Sequence, residues 1–109
     1  MRVQITARHC ELPDAIRERT EDQIGKLSRY QPRLAAAEVV FETEKHLKKV
    51  EAILSIDRRE PVVASGAGPE FQGALDQMVD RLSKILRRRR GQKKDHHGPR
   101  IVETAEPEE

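Results

Sequence analysis

The segment RLSKILRRRRGQKK, residues 81–94, carries eight cationic side chains and no acidic one. Like charges packed this densely on a helix repel one another, at about 0.2–0.5 kcal/mol for each i, i+4 pair. The negative helix C-terminus relieves part of that repulsion, and a bound polyanion would relieve the rest. Arginine dominates the segment, and its planar fork matches phosphate oxygens better than a point charge does. A merely solvated face normally mixes signs, yet acids are missing from this stretch of a chain that holds nineteen. The chemistry expected is phosphate binding by Arg81, Lys84, Arg87, Arg88, Arg89, Arg90, Lys93 and Lys94. Arg81, Lys84 and Arg88 share one helical side, with Arg87 close by.

Two smaller basic groups could extend this footprint. Arg8 and His9 end an alternating segment, and Lys45, His46, Lys48 and Lys49 sit on a hairpin turn. Catalytic constellations are weak. Glu42 and Glu44 share a strand face and Asp76 and Asp80 a helix face, but paired carboxylates need a cleft and unequal environments for acid–base work. Asp80 is spaced to pair with Lys84 at i+4. His9 and Cys10 are adjacent, so on a strand they point to opposite faces and cannot share a metal. His96 and His97 would hold a metal only weakly. SGAGPE before the last helix could nest an anion, but Glu70 opposes it. No catalytic residue, metal site or cofactor is expected.

The elements that must position these residues follow from periodicity. MRVQITA alternates, with Val3, Ile5 and Ala7 on one face of a strand. LPDAIRERTEDQIGKLSRY reads as a helix that buries Ile16, Thr20, Ile24 and Leu27. Pro13 opens it, Asp14 and Glu18 stand near its positive end, and Pro32 follows its stop. AAEVVFETE turns Ala37, Val39, Phe41 and Thr43 inward, and VEAILSIDR turns Val50, Ala52, Leu54 and Ile56 inward. PVVASGAG is a short strand whose leading Pro61 argues for a sheet edge. From about Pro69 to Arg90, Phe71, Ala74, Leu75, Met78, Val79, Leu82, Ile85 and Leu86 keep the helical apolar rhythm, with Gly91 as the stop.

The order is β-α-β-β-β-α. It predicts an α+β two-layer sandwich in which a parallel first pair and an antiparallel meander form a four-stranded sheet. Both helices should cover one face. The other face would show Gln4, Thr6, Glu42 and Ser55 around a small apolar patch of Val40 and Ile53. One domain, 1–94, carries this pattern, and 95–109 reads as a flexible acidic tail.

Composition narrows the function class. Residues 1–80 hold 12 basic and 14 acidic side chains, while 95–109 set Arg100 against five acids, so the net +2 conceals strong segregation. With 36% hydrophobic residues the core is thin, which disfavours a pocket for a small-molecule substrate. No apolar run reaches the ~20 residues of a membrane span, and the N-terminus lacks a secretory pattern. A lone Cys10 leaves no internal disulfide. A cytoplasmic protein is expected. A membrane-surface helix would need its apolar face exposed, but here that face must cover the sheet. Phe41, Phe71 and Tyr30 are the only aromatics, too few for base-stacking platforms. Nucleic acid should therefore be met through backbone and shape.

Taken in order, ITARH, KLSRY, VVFETEKHLKKVEAILSI and FQGALDQMVDRLSKILRRRRGQKK resemble the ribosome hibernation promoting factor and ribosome-associated inhibitor family, also called the sigma 54 modulation protein family. The resemblance spans residues 1 to about 94. It implies a fold similar to a double-stranded-RNA-binding domain and a non-enzymatic translation inhibitor. Such a protein would bind the small ribosomal subunit in the tRNA and mRNA channel through rRNA phosphates. It maps the family's RH onto Arg8 and His9 and its EK and following lysines onto Lys45, Lys48 and Lys49. Its basic final helix falls on Arg81, Lys84 and Arg87–Arg90. Phe71 stands where the family often has Tyr, and DRL replaces DKL. Without the long members' dimerisation domain the chain resembles the short type, a monomer when free. Whether such a member promotes or prevents the pairing of ribosomes stays open. The family's older name keeps a second reading in view, a protein-binding modulator of a transcription factor that uses the open sheet face. The acidic tail could also fold back on the basic helix and compete with RNA.

Overall fold

The computed structural model describes residues 1–91 and the pair Thr104–Ala105. The chain runs β1 (Arg2–Arg8), α1 (Asp14–Lys26) with a 3-10 turn Leu27–Arg29, β2 (Leu34–Glu44), β3 (Leu47–Ile56), β4 (Val62–Gly68), α2 (Phe71–Gly91) and a short β5 (Thr104–Ala105). Sheet order follows chain order, β1-β2-β3-β4-β5. β1 lies parallel to β2, and β2-β3-β4 form the antiparallel meander that the short connections require. The expected α+β two-layer sandwich is therefore found. β5 adds a fifth strand, parallel to β4. Two residues are too few for periodicity to announce. The expectation of a flexible tail over 95–109 falls otherwise outside the described residues.

Strand alternation decides which side chains enter the core. Ala37, Val39 and Phe41 of β2, Val50, Ala52, Leu54 and Ile56 of β3, and Val62 and Ala64 of β4 are buried. Register places them in rows: Val3–Ala37–Leu54–Val62, Ile5–Val39–Ala52–Ala64 and Ala7–Phe41–Val50–Gly66. α2 lays Ala74, Leu75, Met78, Leu82, Ile85 and Leu86 on these rows, and α1 adds Ile24, with Leu27 following. Thr20, the polar residue in the α1 stripe, is fully buried without penalty because its hydroxyl donates to the Ile16 carbonyl at 2.7 Å. Phe41 and Phe71 meet edge to face, centroids 5.5 Å apart, which fixes the start of α2 against the sheet.

Gly66 is required where it stands. A Cβ there would run into the carbonyl oxygen of Ala74, and it would also crowd the Met78 amide at 3.0 Å. β4 and α2 can approach this closely only without a side chain between them. The helices are tied to each other by a two-pronged Arg19–Asp76 pair at 3.0 and 3.1 Å. Helix boundaries shift slightly from those read in the sequence. Pro13 is the residue before α1, not its first helical one, and Gly91 still belongs to α2.

Candidate nucleic-acid interface

Topology sorts the basic residues into two poles. β1 and β2 run toward one end of the sheet, where the β2–β3 hairpin turns, and α2 begins there. At this first pole stand Arg8, His9, Lys45, Lys48 and Lys49. α2 then runs antiparallel to β4, so its arginine-rich end lies at the opposite pole beside the β3–β4 turn. From Phe71, under Lys48, to Arg89, the helix spans about 27 Å at 1.5 Å per residue. Spacing along the chain left open whether the smaller basic groups lie beside the basic helix end; they occupy the opposite end of the molecule.

At the first pole, Lys48 lies over the Phe71 ring, 5.5 Å from its centroid. Lys49 pairs with Glu44 at 2.9 Å, and this contact lowers the Glu44 carboxyl below its ordinary range while raising Lys49. Both effects come first from the hydrogen bond and then from the opposite charge. Arg8, His9 and Lys45 are exposed.

The second pole is richer than the sequence indicated. Arg87 stacks its guanidinium on Tyr30, 5.6 Å from the ring centroid, and donates to the Ser83 carbonyl at 3.4 Å. Arg89 donates to the Glu60 and Pro61 carbonyls at 2.8 and 3.3 Å. The first contact brings in the α1–β2 connection with Arg29 and Arg33, and the second brings in the β3–β4 turn with Arg58 and Arg59. Arg33 and that turn also meet directly, since the Asp57 amide donates to the Arg33 carbonyl at 2.9 Å. Arg29, Arg33, Arg58 and Arg59 are all exposed. With Arg87, Arg88 and Arg89 they share this pole with Asp57 and Glu60, a clear excess of cations over acids.

Between the poles, Arg81 is half-buried and donates to the Ser65 carbonyl at 2.7 Å, and Lys84 takes Asp80 at 3.1 Å as the spacing predicted. Arg90 lies in α2, but its side chain is outside the described residues, as are Lys93 and Lys94. Asp76 and Asp80 each face a cation, Arg19 and Lys84. Among the described residues no His, Cys, Asp and Glu group could hold a metal ion, and no helix is long and apolar enough to cross a membrane.

Among the described residues, three non-glycine residues adopt positive φ: His9 at 55°, Lys45 at 57° and Arg58 at 60°. Each sits at a turn, where glycine or asparagine would be the easy choice. All three carry basic side chains instead, two at the first pole and one at the second.

Comparison with known proteins settles the family. The model described as Sigma 54 modulation protein / S30EA ribosomal protein matches residues 3–94. The chain belongs to that family. Similar curated proteins include the ribosome hibernation promoting factor of Azotobacter vinelandii, 31% identical over 79% of each chain. The factor of the same name from Salmonella typhimurium is 30% identical over 88% of this chain and all of its own. Among solved structures, the Thermus thermophilus Protein Y N-terminal domain superposes with a TM-score of 0.73 at 27% identity, covering 81% of this chain and 98% of that one. A ribosomal subunit interface protein from Coxiella burnetii shares the fold with a TM-score of 0.77 at 19% identity, covering 84% and 99%.

The resemblance read from the sequence is therefore correct at the level of family and fold. What sequence reasoning missed are Arg29, Arg33, Arg58, Arg59 and Tyr30. These arginines lie far along the chain from the basic helix end, in two short connections, and only tertiary contact joins them to it. DRRE at 57–60 offered a faint signal, two adjacent arginines in a turn.

The open sheet face shows a different pattern. Its rows read Arg8–Glu42–Lys49–Ala67, Thr6–Val40–Glu51–Ser65 and Gln4–Glu38–Ile53–Val63. Opposite charges sit side by side, and Ile53 is 37% exposed in their midst. Such a surface presents no excess of either sign to a polyanion.

Proposed function

We propose that this chain is a ribosome hibernation factor that binds the small ribosomal subunit, occupies the tRNA and mRNA channel and inhibits translation by gripping rRNA phosphates. One observation carries the reading: a chain of this family gathers seven arginines at one end of a rigid sandwich. The relatives named above as ribosome hibernation promoting factors support the same direction. Two poles separated by the length of α2 suit an extended, folded phosphate surface better than a single small anion. Arginine forks at the second pole would hold phosphate oxygens, while Arg8, His9, Lys45 and Lys48 would hold a second stretch of backbone. The reading needs no catalysis, metal or cofactor, and it places the protein in the cytoplasm.

Sedimentation with purified small subunits tests it. Arg87→Glu with Arg88→Glu and Arg59→Glu should remove the protein from the subunit peak while its circular dichroism stays unchanged. Arg89 is left in place because it also braces the β3–β4 turn. Undiminished co-sedimentation of the triple variant would refute the reading. Capture by another protein that survives nuclease treatment, with subunits ignored, would favour the open sheet face and a protein-binding modulator instead.

A further inference from the structure

The arginines of α2 differ in what holds their nitrogens. Arg81 gives its terminal Nη1 to the Ser65 carbonyl at 2.7 Å, and Arg89 gives both terminal nitrogens to the Glu60 and Pro61 carbonyls at 2.8 and 3.3 Å. Arg87 is exposed and commits only Nε, to the Ser83 carbonyl at 3.4 Å. A guanidinium offers two forks in its plane, one from Nε with a terminal nitrogen and one from the two terminal nitrogens. The Ser83 carbonyl takes up the first fork of Arg87. The second, formed by Nη1 and Nη2, meets no acceptor among the described residues.

One face of the same guanidinium lies over the Tyr30 ring, 5.6 Å from its centroid. That ring is a fixed platform. Tyr30 is half-buried and packs against the core, and its amide donates to the Leu27 carbonyl at 2.9 Å. The connection that follows is pinned as well. The Arg33 amide donates to Gln31 Oε1 at 3.0 Å, and the Leu34 amide donates to the Gln31 carbonyl at 3.1 Å. The Arg33 carbonyl takes the Asp57 amide at 2.9 Å. With the ring against one face and Ser83 at one edge, an anion reaches Arg87 in plane through the terminal fork. That is the approach in which phosphate takes two parallel hydrogen bonds. A long side chain that is already held loses less freedom when the ligand arrives.

We infer that Tyr30 is a positioning residue of the arginine pole, holding the Arg87 guanidinium so that its terminal fork forms a two-pronged subsite for one phosphate group. The inference rests on the proposed function for its natural ligand, and on the contacts of Arg87 alone for its geometry. Arg29 and Arg33, both exposed, stand on either side of Tyr30 in the chain and add charge beside the subsite. Lysine at 87 would keep the charge, but it has no planar group to lie on the ring and no fork to offer. Phenylalanine at 30 would keep the ring and lose only the hydroxyl.

The full chain is tested against inorganic polyphosphate, which presents phosphates without sugar or base, and against small ribosomal subunits. Tyr30→Phe should bind as the unaltered chain does. Tyr30→Leu keeps an apolar side chain against the core. It should bind about threefold more weakly, with an unchanged slope of log K against log salt because no charge is lost. Arg87→Lys should weaken binding about as much, again at an unchanged slope. In an Arg87→Gln background, Tyr30→Leu should cost nothing further. In the free protein, the side-chain protons of Arg87 should carry a ring-current shift that Tyr30→Phe keeps and Tyr30→Leu loses. Equal affinity of Tyr30→Leu and the unaltered chain would overturn the inference. So would the same loss in the Arg87→Gln background, which would give Tyr30 a role that does not pass through Arg87. A loss in Tyr30→Phe as large as in Tyr30→Leu would assign the effect to the hydroxyl and overturn it too. Should Tyr30→Leu not fold, Arg87→Lys decides, and full affinity in that variant overturns the subsite. Failure of every chain to bind polyphosphate would also overturn it. The expected pattern on polyphosphate, with small subunits ignored by all chains, would sustain this inference and refute the proposed function. Subunit binding by every chain, with no difference among them on either ligand, would overturn the inference and leave the function standing.

Discussion

The arginines that only the fold brings to the second pole give the most direct test of the phosphate reading. Arg33→Gln, Arg58→Asn and Arg59→Gln remove three charges without touching the core. All three side chains are exposed. Asn is chosen at 58 because φ there is 60°, a conformation that Asn tolerates well. If Arg29, Arg33, Arg58, Arg59, Arg87 and Arg88 each neutralise a phosphate, the slope of log K against log salt is about −5, at close to 0.9 per contact. Affinity for small subunits then falls roughly 10³-fold between about 50 and 200 mM salt. The triple variant should keep a slope of about −2.7 and lose only about 40-fold over the same range. Fluorescence anisotropy of the labelled protein with purified subunits, repeated at several salt concentrations, measures both slopes. The slope decides more than the affinity, because a variant that merely bound less well through a disturbed fold would not shed three counterions. A triple variant with the slope of the unaltered chain would show that these three arginines face water in the complex, and would refute their part in the interface.

Two further outcomes follow from the geometry. Gly66→Ala forces a methyl group against the Ala74 carbonyl oxygen; because backbone must move, thermal or urea unfolding should show a loss of about 1–3 kcal/mol, and Gly25→Ala, where a Cβ meets nothing, should not. Lys49→Gln removes the partner that lowers Glu44, so an NMR titration of that carboxyl should move upward toward the ordinary carboxylate range. A carboxyl with a depressed folded value stabilises above its unfolded value and loses that contribution as pH falls through the folded one. The variant should therefore give up a small increment of stability at neutral pH and none below the folded Glu44 value, which makes the acid limb of the profile shallower; an unmoved Glu44 titration would refute the pairing.

The framework was legible because this sequence states its periods plainly. Val3, Ile5 and Ala7, then Val39 and Phe41, then Val50, Ala52 and Leu54 alternate without interruption. Phe71 to Leu86 holds one helical stripe across four turns. Both patterns survive because the sheet has one buried face and the helices lie on it. The site was legible only in part. A charge run announces itself along the chain, whereas Arg33 and Arg58 become neighbours of the helix end only after β2 and β3 have brought their connections to one pole. The same limitation left open whether Arg8 and Lys48 lie beside Arg87, and the length of α2 separates them.

The run of arginines also turned out not to be uniform, and the reason is geometric. Each residue rotates the side chain by about 100° around a helix, so four consecutive arginines cannot all face one ligand. Arg87 turns to Tyr30 on the α1 side and Arg89 to the carbonyls below β4. Eight residues before Arg89, Arg81 serves the β4 edge. Lysine could supply charge at these positions, but not a planar group that stacks on an aromatic ring or forks between two carbonyls. Part of the density therefore has a structural cause. The side chains on the flanks lock the helix end between two connections, and those connections deliver Arg29, Arg33, Arg58 and Arg59 to the surface that the helix alone could not fill. A polyanion approaching this pole meets charge from three segments held rigid by one another, so little ordering of the protein remains to be done on binding. That is why the arginines of the turns, and not only those of the helix, should set the salt dependence.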